Sequence, residues 1–185
     1  MNQTLSARMI AITIVSIQIL LSVFSCVYFP GIRFAIVPHE SPLWTILTAP
    51  IVHADWKHLL SNLEVFIPLI VSLFLFYEKY AVIIYAILYV TSGILLWSMG
   101  SFGAHLGLSG VIIALAIYVV LSGFFSMEWR KVLVSIVICA IYFAVVTQFY
   151  VSEPGVSIDA HICGFISGFV VVVVQYFPKE SFRFS

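Results

Sequence analysis

Six stretches of about 20 residues, at about 9–28, 58–77, 80–98, 107–125, 132–151 and 157–177, are apolar and nearly free of charge. Each is long enough to cross a bilayer as a helix, which needs about 20 such residues. Together they take most of the 185 residues, so no separate soluble domain fits between them. Only 9% of the chain is charged, against roughly 25% in a soluble domain. That is too little to cover a water-soluble globule. The runs are continuous rather than alternating, so they read as helices and not as barrel strands. Abundant aromatics exclude a disordered chain, and three cysteines are too few for a disulfide scaffold. The expected fold is an all-α membrane protein, a single six-helix transmembrane domain over residues 1–185. With zero net charge, no nucleic-acid partner is expected.

The first run is read as a span and not as a secretory signal, because it is long and lacks a small-residue cleavage site. Lysine and arginine then set the orientation. With the N-terminus inside, Arg8, Lys79, Arg130, Lys131, Lys179 and Arg183 face the cytoplasm, and Arg33 and Lys57 face outward. Six against two places both termini in the cytoplasm. The one long loop, 29–57, holds Pro30, Pro38, Pro42 and Pro50, which forbid a single helix through it. Its Leu43–Val52 stretch is apolar but too short to span, so the loop is expected to lie in or dip into the outer interface. Cys26, Cys139 and Cys163 fall within apolar runs and read as small core residues.

Polar groups in hydrocarbon are costly, so the few present carry information. They are His58, Asn62 and Glu64 in the second span, Ser109 in the fourth, and Asp159 and His161 in the sixth, with His53 and Asp55 just before the second. Even-numbered spans run from outside to inside. His58, Asn62, Ser109 and His161 therefore share one layer near the outer face. His58 and Asn62, four apart, lie on one helix face. Ser109 sits between Gly107 and Gly110, which permit close approach of another backbone. Gly164 and Gly168 form a small-xxx-small stripe after His161, suited to packing the sixth span on the fourth.

A serine hydroxyl beside a histidine is a nucleophile with its base. A histidine and an asparagine from a third helix can donate to an oxyanion. The reaction class this suggests is amide hydrolysis inside the membrane. Each residue also has a structural reading. A membrane serine commonly bonds its own i−4 carbonyl, and a membrane histidine or asparagine can tie two helices together. Asp159 is two residues from His161 and points elsewhere on the helix, so it reads as a helix-end residue rather than a third catalytic group. Glu64 stands in the same relation to Asn62 and is not read as catalytic.

At these residues the chain resembles the rhomboid intramembrane serine proteases, over roughly residues 43–175. The matching motifs are His53-x4-His58-x3-Asn62 opening span two, Gly107-Leu108-Ser109-Gly110 opening span four, and Ala160-His161-x2-Gly164-x3-Gly168 in span six. The resemblance implies that Ser109 is the nucleophile and His161 its base, with no third carboxylate, cofactor or metal. It implies an oxyanion hole from His58, Asn62 and the Ser109 N–H, and a structural His53. It also implies a membrane-dipping first loop, a mobile fifth span beside which substrate helices enter, and single-pass membrane proteins and lipids as partners. Two positions depart from the family pattern. Thr45 follows Trp44 where many rhomboids have arginine, which predicts a loop held less firmly. Ile113 stands where the family often has a tyrosine over the catalytic histidine, so His161 is expected to pack elsewhere, against Phe165. A catalytically silent relative that binds membrane helices, and a transporter with a polar path through His161, Asp159 and Glu64, are the rival readings.

Overall fold

The structure is a computed structural model, and it describes residues 3–28, 31–77, 80–149 and 157–177. Lys79, Lys179, Arg183 and Pro30, and the expected end of the fifth span at 150–151, lie outside the described residues. The elements are α1 (Gln3–Tyr28), a 3-10 turn (Gly31–Phe34), α2 (Thr45–Thr48), α3 (Trp56–Phe76), α4 (Ala81–Met99), α5 (Ser109–Phe125), α6 (Trp129–Phe149) and α7 (Ile158–Tyr176). Six long helices match the six apolar runs to within a few residues, except that α1 starts earlier than expected. No strand occurs among the described residues; a lone antiparallel bridge joins Ile36 to His105.

Why the helices stack as they do follows from α5. It is apolar all round, and such a helix belongs inside a bundle. Val111, Ala114, Leu115, Tyr118 and Val119 are all buried, and α3, α4, α6 and α7 surround it. Phe66, Leu69 and Leu73 of α3 and Leu88 of α4 complete the core. The outward faces of the helices stay apolar, with Ile83, Ile94, Val170 and Val174 all exposed. A soluble protein does not leave so much apolar surface open, and a lipid-facing one does. Three helices, Trp56–Phe76, Ala81–Met99 and Ile158–Tyr176, are long and apolar enough to cross a membrane by composition alone.

Several polar side chains are paired between helices, which lowers the cost of holding them in a low-dielectric interior. The Tyr85 hydroxyl donates to Gln18 and ties α4 to α1. Thr91 and Ser167 bond across α4 and α7 at 2.5 Å, and Tyr118 donates to Gln175 across α5 and α7 at 2.7 Å.

The first loop is apolar on both its buried and its exposed side. Ala35, Ile36, Ile46, Ala49 and Val52 are buried, whereas Ile32, Leu43, Trp44 and Leu47 are exposed. Ile46 fits against Gly93 of α4, where a Cβ would overlap it. Thr45 is bonded within the loop itself. It is fully buried, its hydroxyl donates to the Pro42 carbonyl at 2.8 Å, and it meets Ser41 Oγ at 2.9 Å. Trp97 Nε1 donates to the Ser41 carbonyl from α4 at 2.8 Å. The cysteine expectation is corrected in part. Cys163 is buried, but Cys139 is exposed on α6 and Cys26 is half-buried. An apolar run in a membrane protein is apolar toward lipid as well as toward the core, so the run alone does not say which face a residue takes.

Candidate active site

Ser109 opens α5, and His161 lies in the first turn of α7. The two helix starts are held together by glycine. A Cβ on Gly110 would lie 3.0 Å from the Ala160 carbonyl oxygen, and one on Gly164 would overlap the Gly110 carbonyl and lie 3.3 Å from Ala114 N. One turn further in, Gly168 faces the Ala114 carbonyl in the same way. Backbone thus meets backbone between the residue after Ser109 and the residue before His161. Side chains on either stripe would hold the helices apart. Both Ser109 and His161 are half-buried.

The second span contributes from the other side. Asp55 caps α3, its Oδ1 accepting from the His58 N–H at 2.7 Å. This fixes the first turn, from which the His58 ring reaches over Gly107. A Cβ there would come 2.6 Å from His58 Cε1 and 2.7 Å from Nε2. Gly107 also has φ +104, a conformation that L side chains rarely adopt. His58 Nδ1 accepts weakly from the Ala54 N–H at 3.5 Å, which assigns the ring proton to Nε2, on the Gly107 side. His161 and His58 are within electrostatic range of each other. Asn62 is buried, and its amide donates to the His58 carbonyl at 2.8 Å.

His53 anchors the approach to α5. Its Nδ1 donates to the Ile51 carbonyl at 3.0 Å, and its Nε2 accepts from the Leu108 N–H at 3.4 Å. Its ring lies 5.1 Å from that of His58, edge-on. Burial lowers the His53 pKa to about 4, with the neighbouring His58 adding to the effect and the Ile51 bond opposing it. A neutral ring is what this hydrogen-bond pattern requires.

The remaining candidates lie apart. Asp159 accepts from the Ser101 N–H at 2.8 Å and from the Ser101 hydroxyl, so it ties the start of α7 to the loop before α5. Glu64 is exposed on α3. Ile113 is half-buried, and Phe165 is half-exposed and stacks on Phe169 at 6.4 Å. A cavity of about 30 Å³ lies behind Gly107 and Gly110, bounded by His105 and Ser92, with room for about one water. His105 lies in the loop between α4 and α5, outside the apolar spans, where a histidine carries no polarity signal. No group of three metal-ligating side chains occurs among the described residues.

These features define a polytopic helical membrane protein with a serine, three histidines and an asparagine gathered where α3, α5 and α7 begin. The comparisons with known proteins narrow the class. The rhomboid domain family matches residues 40–176. A protein of Acanthamoeba polyphaga mimivirus, provisionally named a rhomboid protein, is 30% identical over 168 residues, covering 88% of this chain and 92% of its own. An uncharacterized protein of Mycobacterium leprae is 30% identical over 158 residues, covering 76% of this chain and 59% of its own. One from Mycobacterium tuberculosis H37Rv is 27% identical over 157 residues, covering 76% and 62%. The match thus spans about 60% of the length of the mycobacterial relatives. The chain belongs to the rhomboid family.

Proposed function

We propose that the chain is an intramembrane serine endopeptidase that cleaves transmembrane helices of single-pass proteins near the outer face of the membrane. The observation that supports this most is the Gly110–Gly164 backbone contact, which draws the starts of α5 and α7 together beside the His58 ring. In the reaction, Ser109 Oγ attacks the scissile carbonyl while His161 takes its proton. His161 then returns that proton to the leaving amine, and a water activated by His161 releases the acyl group. The tetrahedral oxyanion is held by His58 Nε2–H, the Asn62 amide and the Ser109 N–H. Asn62 must turn one N–H from the His58 carbonyl toward the oxyanion, or use its second. A substrate helix has to unwind at the cleaved bond, because helical carbonyls are already occupied. It enters sideways between the bundle and lipid, along α6.

The test is labelling of the purified full chain by a fluorophosphonate, alongside cleavage of a reporter transmembrane helix. Both are expected in the unmodified chain and absent in Ser109→Ala and His161→Ala. A chain that binds the reporter helix but is never labelled would be the silent, helix-binding type of rhomboid relative. Cleavage that survives in Ser109→Ala would sink the serine mechanism.

A further inference from the structure

His105 lies outside the three rhomboid-like motifs, yet it joins three segments of the chain. Its backbone pairs in both directions with Ile36 of the first loop, N–H to O at 2.8 Å and O to N–H at 2.9 Å. Its side chain is buried among polar partners. Nε2 is 3.0 Å from the Ser101 carbonyl, which can only accept, so Nε2 carries the proton. Nδ1, 2.6 Å from Ser157 Oγ, is then the acceptor of the Ser157 hydroxyl. Ser157 is the N-cap of α7, and its Oγ also accepts from the Ala160 N–H at 3.1 Å. The ring closes through Asp159, which accepts from the Ser101 N–H and hydroxyl. Each donor of the circuit has an acceptor.

We propose that His105 is a positioning residue for the Ser109–His161 pair, its imidazole bridging the loop that leads into α5 to the N-cap of α7. The register supports this. His105 stands four residues before Ser109, and Ser157 stands four residues before His161. The bonded ring therefore links the two helix starts at the same sequence separation from the two reacting side chains. The glycine stripe lets α5 and α7 touch but is itself smooth, and the Tyr118–Gln175 bond fixes α5 on α7 only at the far end of the two helices. The His105 circuit supplies the directional bonds that the stripe lacks. Misplacement of about 1 Å between reacting groups can cost on the order of 100-fold in rate.

The inference rests on the proteolytic reading of Ser109 and His161, and its test separates the two. The full chain in detergent is reacted with a fluorophosphonate, and the labelling rate per folded molecule is measured together with the thermal unfolding midpoint. His105→Ala is expected to slow Ser109 labelling at least tenfold. His105→Gln, which keeps a donor for the Ser101 carbonyl, is expected to recover a large part of that rate. His105→Leu fills the space without a nitrogen and serves if the alanine variant does not fold; it should be as slow as alanine. A labelling rate within twofold of the unmodified chain in the folded alanine or leucine variant overturns the proposal. So does a loss that glutamine fails to restore, which would mark His105 as ordinary packing. If the unmodified chain shows no Ser109-dependent labelling, the proteolytic reading has failed instead. The register is then read from disulfide formation between Ser109→Cys and His161→Cys in a chain whose Cys26, Cys139 and Cys163 are alanine. Cross-linking several-fold slower in His105→Ala supports the placement, and an unchanged rate refutes it.

Discussion

Gly107 shows how one residue can carry two constraints at once. Its φ of +104 excludes a Cβ on conformational grounds, and the His58 ring occupies the space that a Cβ would need. Gly107→Ala should therefore cost on the order of 1–3 kcal/mol from backbone strain alone. It should also push His58 from its place and lower fluorophosphonate labelling at least tenfold in the folded fraction. Labelling at the unmodified rate would show that His58 takes no part. His53 gives a prediction in pH. Its pKa falls from 6.5 in the unfolded chain to about 4 in the folded one, mainly through burial. Between these values the unfolded state binds the extra proton. The stabilisation is fully present above about pH 6.5 and is lost as pH falls toward 4, by up to about 3 kcal/mol. Detergent unfolding midpoints from pH 7.5 to 4 should show this fall, and His53→Gln should flatten it. At this scale the sequence was legible where hydrocarbon made polarity costly: His58, Asn62, Ser109 and His161 stood out against apolar neighbours. His105 did not, because a loop histidine carries no such contrast and its partners Ser101 and Ser157 are distant in sequence.

Element by element, the six runs and their order were readable because a bilayer demands a minimum length of apolar residues. Which face of each helix turns inward was not, as Cys139 shows, because lipid and core reward the same residue types. Glycine spacing was the exception. It marks close packing in any solvent, and the Gly164–Gly168 stripe does meet α5. Gly164→Ala should force α5 and α7 apart, since the new Cβ would overlap backbone rather than a side chain that can move. Overpacking of this kind costs about 1–3 kcal/mol. Labelling should fall on the order of 100-fold, whereas Ile162→Ala, on the exposed side of the same helix, should stay within twofold. Equal rates in the two variants would mean that the contact does not set the site. The length of α5 also matters. Its 17 residues rise about 25 Å, less than the roughly 30 Å of hydrocarbon. On the proteolytic reading, a short central helix would let its first residue, Ser109, sit below the membrane surface, within reach of the apolar part of a substrate helix.

The whole molecule adds a constraint that no single helix contains. With all six long helices crossing the membrane, as the proposed reading requires, the chain would return to the side on which it began and its termini would share one face. At the end of the bundle away from Ser109, Lys131 lies 5.0 Å from the centre of the Tyr77 ring and 2.8 Å from Glu128, and Arg130 lies over Trp129. Cations and a tryptophan at that depth suit the interface of an inner leaflet, where lysine and arginine are retained during insertion. The site end carries only Arg33 and Lys57. The bias predicts cytoplasmic termini and a Ser109 that draws its water from outside. A C-terminal green fluorescent protein fusion should fluoresce in bacterial cells, and an alkaline phosphatase fusion at the same point should be inactive. The 100–108 loop, between α4 and α5, should accept a surface-impermeant thiol reagent at Phe102→Cys in intact cells, since Phe102 is 82% exposed. Replacing Arg130 and Lys131 with glutamine removes two of the six retained charges and should weaken the preference without reversing it, because four against two still favours the same side. An active phosphatase fusion together with a protected Phe102→Cys would invert the chain. The reacting serine would then face the cytoplasm, and substrates would be cut at the opposite end of their membrane helices.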